Sequence, residues 1–239
     1  MSRLSAFISM GITAVVAVLA ISGGWIALNQ IPRFYRDLID TKPAEQDKYA
    51  QEFLEEFTEL INAIGSGDKE WFARFNQHQI NAYLAEGKAH LGNENQEWNE
   101  KLKHLRVAFQ GDRILIGFRH RIGPVNSVIH MEAQLWLAKA EPNTLAIKLC
   151  AAYAGAVPFN PQSVLERISE TALQNGIEVA WYRHEGAPVA IIRFQADRPR
   201  PTFLLRSLVI DKGMLVIRGN SVDDDTFLSA DPAVSNTSR

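Results

Sequence analysis

Cysteine is nearly absent from this 239-residue chain. Cys150 is the only one, so no internal disulfide holds the fold together. Set in an apolar strand, Leu145 to Tyr153, it reads as a small buried hydrophobe. An excess of one charge is missing too: 25 Lys and Arg stand against 27 Asp and Glu, a net charge of −2. No basic cluster exceeds a few residues, and phosphate neutralisation needs a basic face, so nucleic acid is excluded as a partner. Catalytic signatures are also lacking. There is no Gly-x-Ser-x-Gly elbow for Ser163 or Ser169, no phosphate-cradling loop and no internal repeat.

The six histidines, at 78, 90, 104, 120, 130 and 184, have no ligand spacing with an acid at helical reach, so no metal site is expected. Asp223-Asp224-Asp225 lacks the glycine and distal glutamate of a calcium loop. Carboxylate pairs for acid/base work can be drawn among Glu132, Glu166, Glu170 and Glu178, but Glu166 and Glu170 share one helix and form its wet face. The expectation is a non-enzymatic protein with no catalytic residues and no cofactor.

What is present begins with an uncharged run, Phe7 to Leu28, long enough at helical rise to cross a bilayer. Ala17-Val18-Leu19-Ala20 weakly resembles a cleavage site, but the apolar run continues past it and includes the interface-type residue Trp25. An uncleaved signal anchor is the reading adopted; a cleaved signal peptide and a buried helix are the alternatives. Residues 1–6 form a leader, 7–28 the transmembrane anchor and 29–40 a polar neck. A single domain over 41–220 follows, outside the cytoplasm, with a disordered, apolar-poor tail over 221–239. Flanking Lys and Arg do not settle the orientation; the short leader favours the amino terminus inside.

Within the domain, Thr41 and Pro43 open a helix to about Ile64, with Tyr49, Phe53, Phe57, Leu60, Ile61 and Ile64 in one apolar stripe. Asn76 and Gln79 have capping-box spacing for a short helix through Leu84. From about Lys103 to Gly219 the period drops to two, with turn signals at regular intervals. Strands are expected at Leu105–Phe109, Ile114–Phe118, Val125–Leu137, Leu145–Leu149, Ile177–Tyr182, Val189–Gln195, Leu204–Ile210 and Met214–Arg218. A helix, Gln162–Gln174, interrupts them with its own stripe of Val164, Leu165, Ile168, Ala172 and Leu173. Arg119-His120-Arg121 is the most basic spot, and Arg119 and Arg121 are candidates for an anionic head group; a solvated strand end is the plainer reading.

Two segments, Phe75–Leu84 (FNQHQINAYL) and Gly155–Pro161 (GAVPFNP), with the strands between them, resemble bacterial single-pass proteins of the tubular lipid-binding, or TULIP-like, type over roughly residues 70 to 219. The resemblance implies a strongly bent antiparallel sheet wrapped about one or two helices, with an apolar groove. Phe118, Leu135, Ile168 and Leu173 are the residues that either line such a groove or pack on one another.

The fold expected is α+β: an N-terminal transmembrane helix, then a curved antiparallel sheet packed against two or three helices. The function expected is a binding module at the cell envelope, tied to the membrane through residues 7–28, with a lipid or hydrophobic ligand or an envelope protein as partner. A scaffold without small ligand is the alternative, and an uncharacterised hydrolase the third reading.

Overall fold

The computed structural model describes residues 22–39, 43–86, 104–174, 177–195 and 201–222. Most of the expected span (7–28), the helix-opening Thr41 and the tail from 223 lie outside these residues. Among the described residues no helix is long and apolar enough to cross a membrane.

The chain is α+β with antiparallel sheets. Residues 22–29 are helical (α1), followed by α2 (Arg33–Ile39), α3 (Pro43–Gly65), β1 (Trp71–Asn76) and α4 (Gln77–Ala85). Then come β2 (Arg106–Gln110), β3 (Arg113–Ile122), β4 (Val125–Leu137), β5 (Thr144–Ala154) and the short β6 (Val157–Pro158). Helix α5 (Gln162–Gln174) precedes β7 (Val179–His184), β8 (Ala187–Arg193), β9 (Phe203–Asp211) and β10 (Met214–Ser221).

The expectation of one antiparallel sheet, curved as the resemblance implies, is corrected in number. The strands form two sheets: a three-stranded one ordered β1-β10-β9, and a seven-stranded one ordered β2-β3-β4-β5-β8-β7 with β6 on β5. The cause is β1. Trp71, Ala73 and Phe75 are buried while Phe72 and Arg74 are exposed, the alternation of a half-buried strand. It pairs with β10 from the other end of the domain, Trp71 opposite Gly219. The core of this sheet joins Trp71, Ala73 and Phe75 to Leu60, Phe53 and Ile64 of α3.

On the larger sheet, Ile129, Met131 and Ala133 are buried along β4. Leu165 of α5 packs with Met131, Leu149 and Ala152, and Phe118, Phe159, Val164 and Trp181 close over them. The Trp181 indole N–H donates to Ser169 Oγ at 2.6 Å. Cys150 departs from expectation. Glu132 and Ala133 face Ala151 and Leu149, so Cys150 is the extra residue of a β-bulge and is only half-buried.

The capping box forms as expected, with Asn76 N–H donating to Gln79 Oε1 at 2.8 Å and Asn76 Oδ1 accepting from His78 N at 2.9 Å. Two buried asparagines, neither singled out by the sequence, take the place of a neighbouring strand at sheet edges. Asn81 bonds both the N–H and the C=O of Val107, at 2.8 and 2.6 Å. Asn143 accepts from Leu205 N at 2.8 Å and donates to Phe203 O at 2.7 Å, stitching the β4–β5 turn to β9. Pairing both groups avoids the cost of an unsatisfied buried amide.

Candidate functional site: the clamp on the first helix

A helix ends with carbonyls that have no partner inside it. At the end of α1, the domain supplies the partners. Ser127 of β4, 1% exposed, donates its hydroxyl to Leu28 O at 2.7 Å, and the Ala156 N–H after β5 donates to Ala27 O at 2.8 Å. Gly155 makes this approach achievable. Its φ is +59°, and a Cβ there would stand 2.3 Å from Ala27 O and 2.5 Å from Leu28 O, closer than any side chain tolerates. Asn29 adds a local cap, donating to Trp25 O at 2.8 Å.

The next residues are bound as firmly. The segment read as a polar neck, 29–40, holds α2, and α2 is packed into the domain. Tyr35 is 0% exposed and its hydroxyl donates to His104 O at 2.7 Å. Phe34 and Tyr35 lie 3.0 Å from where Gly117 would carry a Cβ. Leu38 joins Ala108 and Leu115 in a buried cluster that Phe34 covers. Phe34 also meets the edge of the His130 ring at 5.8 Å, and His130 stacks on Tyr153 at 5.0 Å. From residue 27 to residue 38, then, the chain is held by the domain rather than strung from it.

The electrostatics follow from burial. Desolvation raises the Tyr35 phenol above its ordinary value, opposed by the nearby guanidinium groups of Arg106 and Arg119. Desolvation also lowers His130, so the imidazole packed between Phe34 and Tyr153 is neutral near pH 7.

Arg119, His120 and Arg121 are exposed on β3, and His120 pairs with Ser127. The basic tripeptide therefore lies one strand away from the hydroxyl that holds α1. Arg121 Nε donates to Gly123 O at 3.1 Å in the hairpin turn. On α1 and just after it, Trp25, Ile26 and Ile31 are 49, 70 and 38% exposed.

The four groove candidates stand in different surroundings. Phe118 packs on the Met131–Leu165 cluster and Leu135 is half-buried. Ile168 and Leu173 face outward, 42 and 69% exposed. Of the carboxylates weighed for chemistry, Glu132 is paired with Arg113 at 2.9 Å and Glu166 accepts from Gln162 at 2.9 Å. Among the described residues no three His, Cys, Asp or Glu side chains converge as a metal would need.

Sequence reasoning missed Ser127 and Tyr35, and named Gly155 only as the head of the segment carrying the TULIP-like resemblance. The one signal was a glycine directly after a long strand, and it does not say what approaches it. Compared with protein-family profiles, curated proteins and solved structures, the chain has no match.

Proposed function

We propose that this protein is a non-enzymatic envelope module, anchored in the membrane through residues 7–28, whose domain is held in one pose against the bilayer outside the cytoplasm. The observation that carries this reading is the clamp. A domain on a loose tether samples many heights and orientations, whereas hydrogen bonds from Ser127 and Ala156 to the last carbonyls of α1 make helix and domain one body. In that pose the β3–β4 hairpin lies beside the emerging helix, so Arg119 and Arg121 meet anionic lipid head groups as the helix meets the interface. A basic residue near such a surface contributes about 1 kcal/mol.

The test is flotation of the full chain with vesicles of phosphatidylcholine alone or with one-third phosphatidylglycerol, read together with hairpin protection from trypsin. Protection of Arg119 and Arg121 that needs the anionic lipid supports the reading. Equal cleavage in both vesicles refutes the head-group contact.

A second reading, a lipid or hydrophobic ligand held by the domain, draws support from the exposed apolar side chains of Ile168, Leu173 and Ile177 on and after α5. Under that reading an acyl chain lies between α5 and Phe118, in the apolar groove that the TULIP-like resemblance implies. Native mass spectrometry of the chain extracted from its host membrane decides it: near-stoichiometric lipid that survives removal of detergent supports a carrier, and a clean monomer leaves the docking module.

A further inference from the structure

The outer face of the three-stranded sheet carries a second site, one the clamp does not use. The alternation that buries Trp71, Ala73 and Phe75 turns Phe72 and Arg74 outward. Register sets Arg218 beside Phe72 and Val216 beside Arg74, with Val209 next to Val216 on β9. Phe72 and Val209 are 61 and 50% exposed. A shift between Arg218 and Gly219 makes Arg206 the extra residue of β9, and its Nε is held by Asn220 Oδ1 at 2.5 Å.

Lys69, Arg74, Arg206 and Arg218 share an open cleft of about 850 Å³, with Glu70 the carboxylate on its wall. The Arg74 guanidinium stands 5.4 Å from the Phe72 ring centroid, a cation–π distance. Among the described residues, no ion pair uses any of the three arginines. In a chain of net charge −2, three guanidinium groups with no ion pair among the described residues, gathered around an exposed aromatic, make a local basic patch.

We propose that this face binds an acidic, extended polypeptide segment of a protein partner. Carboxylates on one side of an extended strand repeat every ~6.4–6.8 Å, the same spacing that separates alternate residues along β1 and β10. Arginine, unlike lysine, receives a carboxylate with two parallel N–H bonds. Phe72 and Val209 supply apolar contact between the charges, which a strand alternating acidic and aliphatic side chains would match. Four cations with a carboxylate among them are too few for a nucleic-acid backbone. The proposal does not depend on residues 7–28 being in a membrane, so either reading can fail without the other.

The experiment uses the full chain in non-ionic detergent and a fluorescein-labelled dodecapeptide of alternating Glu and Val, followed by anisotropy. The expected result is saturable binding that weakens with salt, drops at least tenfold in Arg74→Gln/Arg218→Gln, and is partly retained in Arg74→Lys/Arg218→Lys. Both substituted residues are exposed, and near-UV circular dichroism confirms that the variants are folded. A Lys-Val peptide should not bind. Absence of binding to the Glu-Val peptide, or equal binding by wild type and the Gln variant, overturns the proposal. So does binding of phosphatidylglycerol vesicles through the same arginines in place of the peptide, which would make the occupant a lipid surface.

Discussion

Replacing Gly155 with alanine tests the clamp with one methyl group. Two costs arise. An L-residue at φ +59° loses about 1–2 kcal/mol relative to glycine. The added Cβ would also sit 2.3 Å from Ala27 O, so the end of α1 has to withdraw. Withdrawal breaks the Ser127–Leu28 and Ala156–Ala27 hydrogen bonds, each with a net value of about 0.5–1.5 kcal/mol. The sum is roughly 2–5 kcal/mol, against a total stability of about 5–15 kcal/mol for a typical domain. The domain should therefore stay folded while the helix end detaches. Hydrogen–deuterium exchange reads this directly: the Ala156 amide should exchange at least tenfold faster in Gly155→Ala, while the β4 amides paired with β3 keep their protection. Ser127→Ala, which removes one bond and adds no bulk, should show a smaller change in the same direction. Unchanged exchange at Ala156 in Gly155→Ala, with an unchanged melting temperature, would refute the reasoning.

Three further outcomes follow from named contacts. Asn143→Ala leaves Leu205 N–H and Phe203 C=O without the amide that pairs them and should cost about 2–6 kcal/mol by denaturant unfolding, since each orphaned buried group costs about 1–3; a cost below 1 would mean that water replaces the amide. Tyr35→Phe removes the bond to His104 O and should lower stability by about 1 kcal/mol, while Tyr35→Ala, which empties a fully buried ring site, should lose about 3–5. His130 has its pKa lowered by burial from an ordinary 6.5, so the folded protein binds this proton less readily than the unfolded chain. Its contribution to stability is full above about pH 7 and is lost as pH falls below 6.5 toward the folded value. His130→Gln should flatten that part of the stability–pH curve, and an identical curve would show that other groups carry it.

Much of the local structure was legible because it is written in neighbouring residues. The alternation from Val125 to Leu137 gave β4 to the residue, and the stripe from Val164 with its flanking turn gave α5. Asn76 and Gln79 formed their capping box because that motif needs only four residues in a row. The misses are non-local. Trp71–Asn76 becomes a strand only because β10 lies beside it, and no local pattern announces a partner so distant in the chain. Helical spacing put Leu165, Ile168 and Leu173 in one stripe. Trp181 fills the space at Ser169, so the first turns of α5 are covered and Leu173 is not. The clamp was hidden for a similar reason: Ser127 and Gly155 have ordinary neighbours in sequence, and their role exists only once α1 is brought against them.

The measurement that bears most directly on the account is the depth of the β3–β4 hairpin in a bilayer. A nitroxide attached through His120→Cys in a Cys150→Ala background, with the full chain in nanodiscs containing phosphatidylglycerol, reports its accessibility to oxygen and to a water-soluble nickel chelate by power saturation. His120 is exposed and pairs with the residue that holds α1, so the account predicts a label at head-group depth, shielded from nickel relative to the same label in detergent. Full nickel accessibility in the nanodisc, equal to that of a label in bulk water, would contradict a domain clamped against the membrane.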